Sequence, residues 1–204
     1  MGLDARIRYT KMVIKDTFIA LLKEKPVNKV TVKEICDLAE INRATFYKYY
    51  SDPFDLLDKI ELEMLSQLQS NLKTSPRGFR EIFIFIMGNI RADGERYRTL
   101  VSENGDSKFP GRIVSVCYEH ITDDLRRQFP GLSPAQREWL YSFSAQGCCG
   151  ILERWISGGM REDVEEVSDF AQKLMEATTK AMGYAGPDHA HSDAAGAAGC
   201  PGVP

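Results

Sequence analysis

Apolar residues recur along most of this chain at the three- and four-residue steps of amphipathic helices, not at the two-residue step of half-buried strands. From residue 4 to 25, Ile7, Met12, Val13, Ile14, Phe18, Leu21 and Leu22 form a loose stripe. It predicts a first helix, ended by Pro26-Val27-Asn28. Two short helices are predicted next. Thr31 and Glu34 have the spacing of a capping box, and Ile35, Leu38 and Ala39 mark one face of a helix barely two turns long. Asn42 suits the N-cap of a helix from Arg43 to Tyr50. That helix turns Phe46 and Tyr50 inward and Arg43, Thr45, Tyr47 and Lys48 outward. Ser51-Asp52-Pro53 restarts the chain as a long helix reaching Lys73, with Leu56, Leu57, Ile60, Met64, Leu65, Leu68 and Leu72 on its apolar face.

Thr74-Ser75-Pro76 breaks this helix. Arg80 to Ile90 is apolar nearly all round and predicts a buried helix. A strand is the competing reading for IFIFIM at 82–87, because a short apolar run fits both. A short helix to about Ser102, a turn at Glu103-Asn104-Gly105-Asp106 and a helix from Pro110 to near Phe129 come next. Ser133-Pro134 opens a helix that runs to about Ser157 and stops at Gly158-Gly159. Its middle holds Ala145, Gly147, Cys148, Cys149 and Gly150, small residues that weaken a helix unless another backbone packs closely on them. Asp163 caps the last helix, whose apolar face is Val164, Val167, Phe170, Ala171, Leu174, Met175 and Met182. These last two helices are expected to pair as a hairpin. From Tyr184 onward Gly, Ala, Pro and Ser dominate, as in a disordered tail. The fold class is therefore all-α, with a head over 1–50, a helical body over 51–183 and a tail over 184–204.

A chain of 204 residues, 43% of them hydrophobic, can build a core. Its net charge of −3 does not suggest nucleic acid, but the distribution does. Residues 1–50 carry ten Lys/Arg against six Asp/Glu, and the remainder sixteen against twenty-three. A basic head on an acidic body suits a DNA-facing end. Arg6, Arg8, Lys11 and Lys15 load the first half of helix one, as a phosphate clamp or as a solvated face. Five cysteines and no signal-like N-terminus predict reduced thiols in a cytoplasm. No apolar run approaches the ~18–20 residues that span a bilayer, so no membrane partner is expected.

Catalytic patterns are missing from the sequence. Of His120, His189 and His191 only His120 falls in the part expected to be ordered. There is no Ser/His/Asp order, phosphate loop or His-Glu-x-x-His helix. Neither enzyme activity nor a metal or cofactor is expected. Cys148-Cys149 lacks CxxC spacing, and helix packing accounts for it. Phe83, Met87, Tyr97, Phe109, Tyr118, Trp139 and Phe143 suit the lining of an effector cavity in the body and suit its core equally.

The run INRATFYKYYSDPFDLL, residues 41–57, resembles the recognition helix and following helix of the tetracycline-repressor (TetR) family. One departure is Pro53, where the family carries a phosphate-contacting lysine. WISGGM before an acidic helix start, with LVSENGDSKF, resembles a subgroup of that family common in Gram-positive bacteria. The resemblance implies a homodimer that binds an inverted-repeat operator on double-stranded DNA and is released by a small-molecule effector, as a repressor. By position, Lys33, Arg43, Ala44, Thr45, Tyr47, Lys48 and Tyr49 match residues through which the family touches DNA, and Thr31 is a further phosphate candidate. Arg43 suits a bidentate pair with guanine. Thr45 suits a thymine methyl or a phosphate, and Tyr47 and Lys48 suit phosphates. The long helix from Pro53 would act as a lever between body and head. Two hairpins would pair across a two-fold axis through Ala145, Cys148, Cys149, Leu152, Phe170 and Leu174. A competing reading is a helical dimer working through a protein partner, either as a coregulator-dependent activator or with a head that has lost DNA binding.

Overall fold

The computed structural model describes residues 3–72, 78–116 and 129–181. Tyr118, His120, the second half of the helix expected from Pro110 and the tail from Tyr184 lie outside them. Every regular element among the described residues is helical.

Helix α1 (Leu3–Glu24) buries Ile14, Phe18, Ile19 and Leu22. A 3-10 turn at Val27–Lys29 leads to α2 (Val32–Leu38) and α3 (Arg43–Tyr47). The turn between them places Glu40 at φ 53, a left-handed conformation that costs a non-glycine residue roughly 1–2 kcal/mol. Packing of Ile35 and Phe46, both fully buried, holds the pair against that cost. Met12 and Leu38, expected on inward faces, are exposed. Leu38 lies beside the Ile35–Ala39 line and is the last residue of a helix too short to bury more than one edge.

Helix α4 (Pro53–Leu72) carries a buried stripe of Leu56, Leu57, Ile60, Met64, Leu68 and Leu72. Its twenty residues span about 30 Å from head to body. Helix α5 (Phe79–Ala92) takes up IFIFIM as helix and rules out the strand. It is the central body helix, in contact with α4, with α6 (Gly94–Val101) and above all with α9 (Val164–Ala181). Helix α7 (Phe109–Ser115) lies against α4 and α8 (Pro134–Ser157). Ser133 and Gln136 close a full capping box at the start of α8.

Three body expectations change. Helix α9 packs chiefly on α5 and only lightly on α8, so the two helices are not a tightly paired hairpin. Helix α9 is also rotated. Val164, Ser168 and Ala171 face inward, and Phe170 and Leu174 face out. Finally, the close backbone contact expected at the small middle of α8 is not found at its glycines among the described residues. A Cβ added at Gly147 or Gly150 would meet nothing within 4 Å.

Candidate nucleic-acid interface

The head is built from its caps outward. The Thr31 N–H donates to Glu34 Oε2 at 3.0 Å, and the Glu34 N–H donates to Thr31 Oγ1 at 3.3 Å. Lys25 also bonds the Glu34 carboxylate. These bonds, Lys25's first, bring the Glu34 carboxyl down to about 2. The Thr31 hydroxyl gives its single proton to Glu34 Oε2 at 2.8 Å. As a phosphate contact Thr31 therefore has no hydroxyl proton left to donate.

Asn42 does the same for α3. Its Oδ1 accepts the Thr45 N–H at 2.7 Å and the Thr45 hydroxyl at 2.9 Å. What Thr45 can present to DNA is its methyl group, which fits a thymine methyl better than a phosphate. Phe46 is fully buried, and an edge-on contact with it, 5.7 Å between ring centres, braces the exposed Tyr47. Tyr50 is buried beside it, and burial pushes its phenol up to about 12. Lys33, Arg43, Ala44, Tyr47 and Lys48 are all exposed, and Thr45 and Tyr49 are half-buried. Five of the expected residues, Lys33, Arg43, Ala44, Tyr47 and Lys48, are thus open to solvent, and the two threonine hydroxyls are turned to capping.

The head is tied to the body at several points. The Val27 N–H donates to the Asn104 carbonyl in the α6–α7 loop at 3.1 Å. Lys23 of α1 pairs with Glu95, and Arg96 with Asp16 at 3.1 Å, both across the α1–α6 contact. Lys15 pairs with Glu63 of α4. Deeper in, Glu61 of α4 is fully buried and pairs with Arg112 of α7. One Glu61 oxygen, Oε1, has no hydrogen-bond partner among the described residues. Glu61 is not singled out in the sequence reading. Its signal was a charged residue four after Leu57 and three before Met64, inside the apolar stripe.

The body residues expected around an effector separate into two groups. Phe83, Met87, Tyr97 and Phe109 are buried, with the Tyr97 and Phe109 rings stacked at 6.0 Å. Trp139 and Phe143 are 70% and 68% exposed on the outside of α8, so they do not line an interior cavity of this chain. A small cavity of about 20 Å³ lies between α5, α7 and α8, lined by Phe79, Ile82, Phe83, Ile86, Val114, Cys148 and Leu152. That is room for about one water.

The residues expected at a subunit contact divide as well. Cys148, Cys149 and Leu152 are buried inside the protomer, and Ala145 is half-buried. Burial raises both thiols to about 11, so neither is a reactive thiolate at neutral pH. Phe170 and Leu174 are 58% and 47% exposed. Phe170 borders an open groove of about 800 Å³ whose lining also includes Gly147, Gly150, Ile151 and Trp155.

Residues 78–177 match a family described as transcriptional regulator C-terminal region, TetR_C_8. A curated relative, the uncharacterized HTH-type transcriptional regulator YxbF of Bacillus subtilis (strain 168), is 33% identical over 51 residues. Those residues are 25% of this chain and span only 13% of that protein's length. The solved TetR transcriptional regulator from Streptococcus agalactiae 2603V has the same fold, with a TM-score of 0.66 at 23% identity over 84% of this chain and 96% of that one. The dihydroxyacetone kinase operon activator DhaS shares it too, with a TM-score of 0.58 at 18% identity over 84% and 97%.

Proposed function

This chain belongs to the TetR family of transcriptional regulators, and on that footing we propose that it binds an inverted-repeat operator as a homodimer and represses transcription until a small molecule releases it. Residues 1–50 are the DNA-binding head in this reading, and 51–183 the body that dimerises and holds the effector. The observation that carries it is the exposed surface of α2 and α3, where Lys33, Arg43, Tyr47 and Lys48 stand without a carboxylate partner among the described residues. Arg43, at the first position of α3, reads a base edge, and the Thr45 methyl packs on a base. Tyr47, Lys48 and Tyr49, further along, hold phosphates and fix the register.

Effector control follows from the packing of α4. A drug-sized ligand needs a cavity of several hundred Å³, whereas the cavity between α5, α7 and α8 measures about 20 Å³. Binding there has to part these helices and displace α7. Arg112 of α7 holds Glu61 of α4, so displacement of α7 is passed to the helix that leaves the head. The effector acts only by favouring the head spacing that fits DNA less well. Dimer formation closes the open α8–α9 groove, with Trp139, Phe143, Phe170 and Leu174 at the contact.

The test is selection of genomic DNA fragments on the purified protein without added ligand. Enrichment of one palindromic sequence, bound with a steep salt dependence, is the expected result. Absence of any enriched sequence together with salt-independent binding would overturn the reading. A reporter behind the selected site, with and without the protein, then tests repression.

A further inference from the structure

Basic groups reach the DNA-facing side of the head from α1 as well as from α3. The Lys11 ammonium of α1 lies 5.3 Å from the centre of the Tyr49 ring, and the Lys48 ammonium, at the C-cap of α3, lies 5.7 Å from the same centre. Neither is paired with a carboxylate among the described residues. The contrast within α1 is sharp. Lys15, one turn on, is paired with Glu63, and Lys23 with Glu95.

Two like charges held near one ring repel each other, and a cation–π contact at an exposed site is too weak to keep them from an incoming anion. A phosphate bound by both ammoniums replaces that repulsion with two attractions. The start of α4 does not offer a competing anion site. Pro53 has no N–H, Asp52 Oδ1 accepts the Asp55 N–H at 2.9 Å and Asp55 Oδ2 accepts the Ser51 N–H at 2.8 Å. Two carboxylates thus occupy the positive end of α4, where they repel a phosphate.

We propose that Lys11, Lys48 and the Tyr49 ring form a clamp for a DNA backbone phosphate, with α1 supplying a contact beside the bases read by α3. The inference rests on the head being a DNA-binding head. It adds that α1 touches the backbone itself, and that this contact carries charge and position but no sequence information.

The experiment measures affinity for the selected operator duplex between 50 and 200 mM KCl. Lys11→Ala should weaken binding severalfold at 50 mM and lower the magnitude of the log–log salt slope by about one per protomer, equally for operator and unrelated duplex. Lys11→Arg should restore the slope. Tyr49→Leu, which removes the ring, should weaken binding in the same sequence-independent way. Lys15→Ala removes an equal charge from the same helix at a paired site and should leave the slope unchanged, provided circular dichroism shows both alanine variants folded. Lys11→Ala with a wild-type slope, or Lys11→Ala and Lys15→Ala altering it equally, overturns the clamp while the DNA-binding reading stands. A wild-type protein without salt-dependent binding to any duplex overturns both.

Discussion

Glu61 of α4 meets Arg112 of α7 inside the protein, with the carboxylate fully buried and the guanidinium half-buried at 35% exposure. Burial is the largest influence on Glu61, and the neighbouring Asp106 adds to it. Arg112 opposes both, and the net effect raises the carboxyl from its ordinary 4.5 to about 7. The folded protein therefore holds a proton here more tightly than the unfolded chain. The stabilisation is complete below pH 4.5 and is lost as pH rises through about 7. The difference corresponds to on the order of 3 kcal/mol at most. Glu61→Gln, which mimics the protonated form, should melt close to the wild type at pH 5 and several degrees above it at pH 8. Melting curves of both proteins from pH 5 to 8 check this. Parallel pH profiles would mean that Glu61 does not titrate in this range.

Base reading and phosphate holding should separate cleanly on α3. Arg43→Ala should relax sequence preference at one base position of each half-site, with a discrimination loss of about 1–3 kcal/mol. Lys48→Ala should weaken operator and unrelated DNA about equally and flatten the salt slope. Competition binding against a set of single-base operator variants distinguishes them. If both changes only unfold the protein, the face is part of the core and the assignment fails.

Dimerisation has a test that spares the protomer. Gly150 sits mid-helix with nothing within 4 Å of an added Cβ. Gly150→Leu should raise the stability of the isolated chain by roughly 0.5–1 kcal/mol, because mid-helix glycine is unfavourable. The same side chain fills the α8–α9 groove and should drive the dimer toward monomer. Phe170→Glu should do likewise by placing a charge on the exposed stripe. Sedimentation velocity reads the assembly state, and dimers in both variants would move the subunit contact elsewhere.

The α6–α7 turn is packed without slack. A Cβ at Gly105 would lie 2.1 Å from the Leu100 carbonyl oxygen, the same oxygen that accepts the Asp106 N–H at 3.1 Å. Gly105→Ala should cost roughly 1–3 kcal/mol by forcing the turn open. Asn104, next door, accepts the Val27 N–H, so exchange of the Val27 amide should quicken in this variant more than exchange of amides within α5. Native-state hydrogen exchange reads that difference.

Much of the helical order was legible from local signals. The caps at Thr31, Asn42, Ser133 and Asp163 are short-range chemistry, and each holds the N–H groups its spacing implied. The exposed set on α2 and α3 was legible for the same reason, since Phe46 and Tyr50 fix which side of a very short helix faces out. What escaped depends on partners remote in sequence. The apolar residues of α9 form two adjacent stripes, and only the packing of α5 decides that Ala171 goes in and Phe170 stays out. Trp139 and Phe143 were misplaced because α8 is small-residue and apolar on several sides, so its pattern names no single inward face. Glu61 was passed over because its partner, Arg112, is 51 residues away.

Helix α1 also bears on how freely the head can be exchanged. Asp16, Lys15 and Lys23 are satisfied by Arg96, Glu63 and Glu95, residues that belong to α4 and α6. A chimera that grafts this head onto the body of another regulator would carry those three charges into a surface that did not grow up with them. Transplanting the proposed operator preference intact would require moving α6 and α4 as far as Glu63 along with the head, so the unit of inheritance is larger than the proposed DNA-binding head.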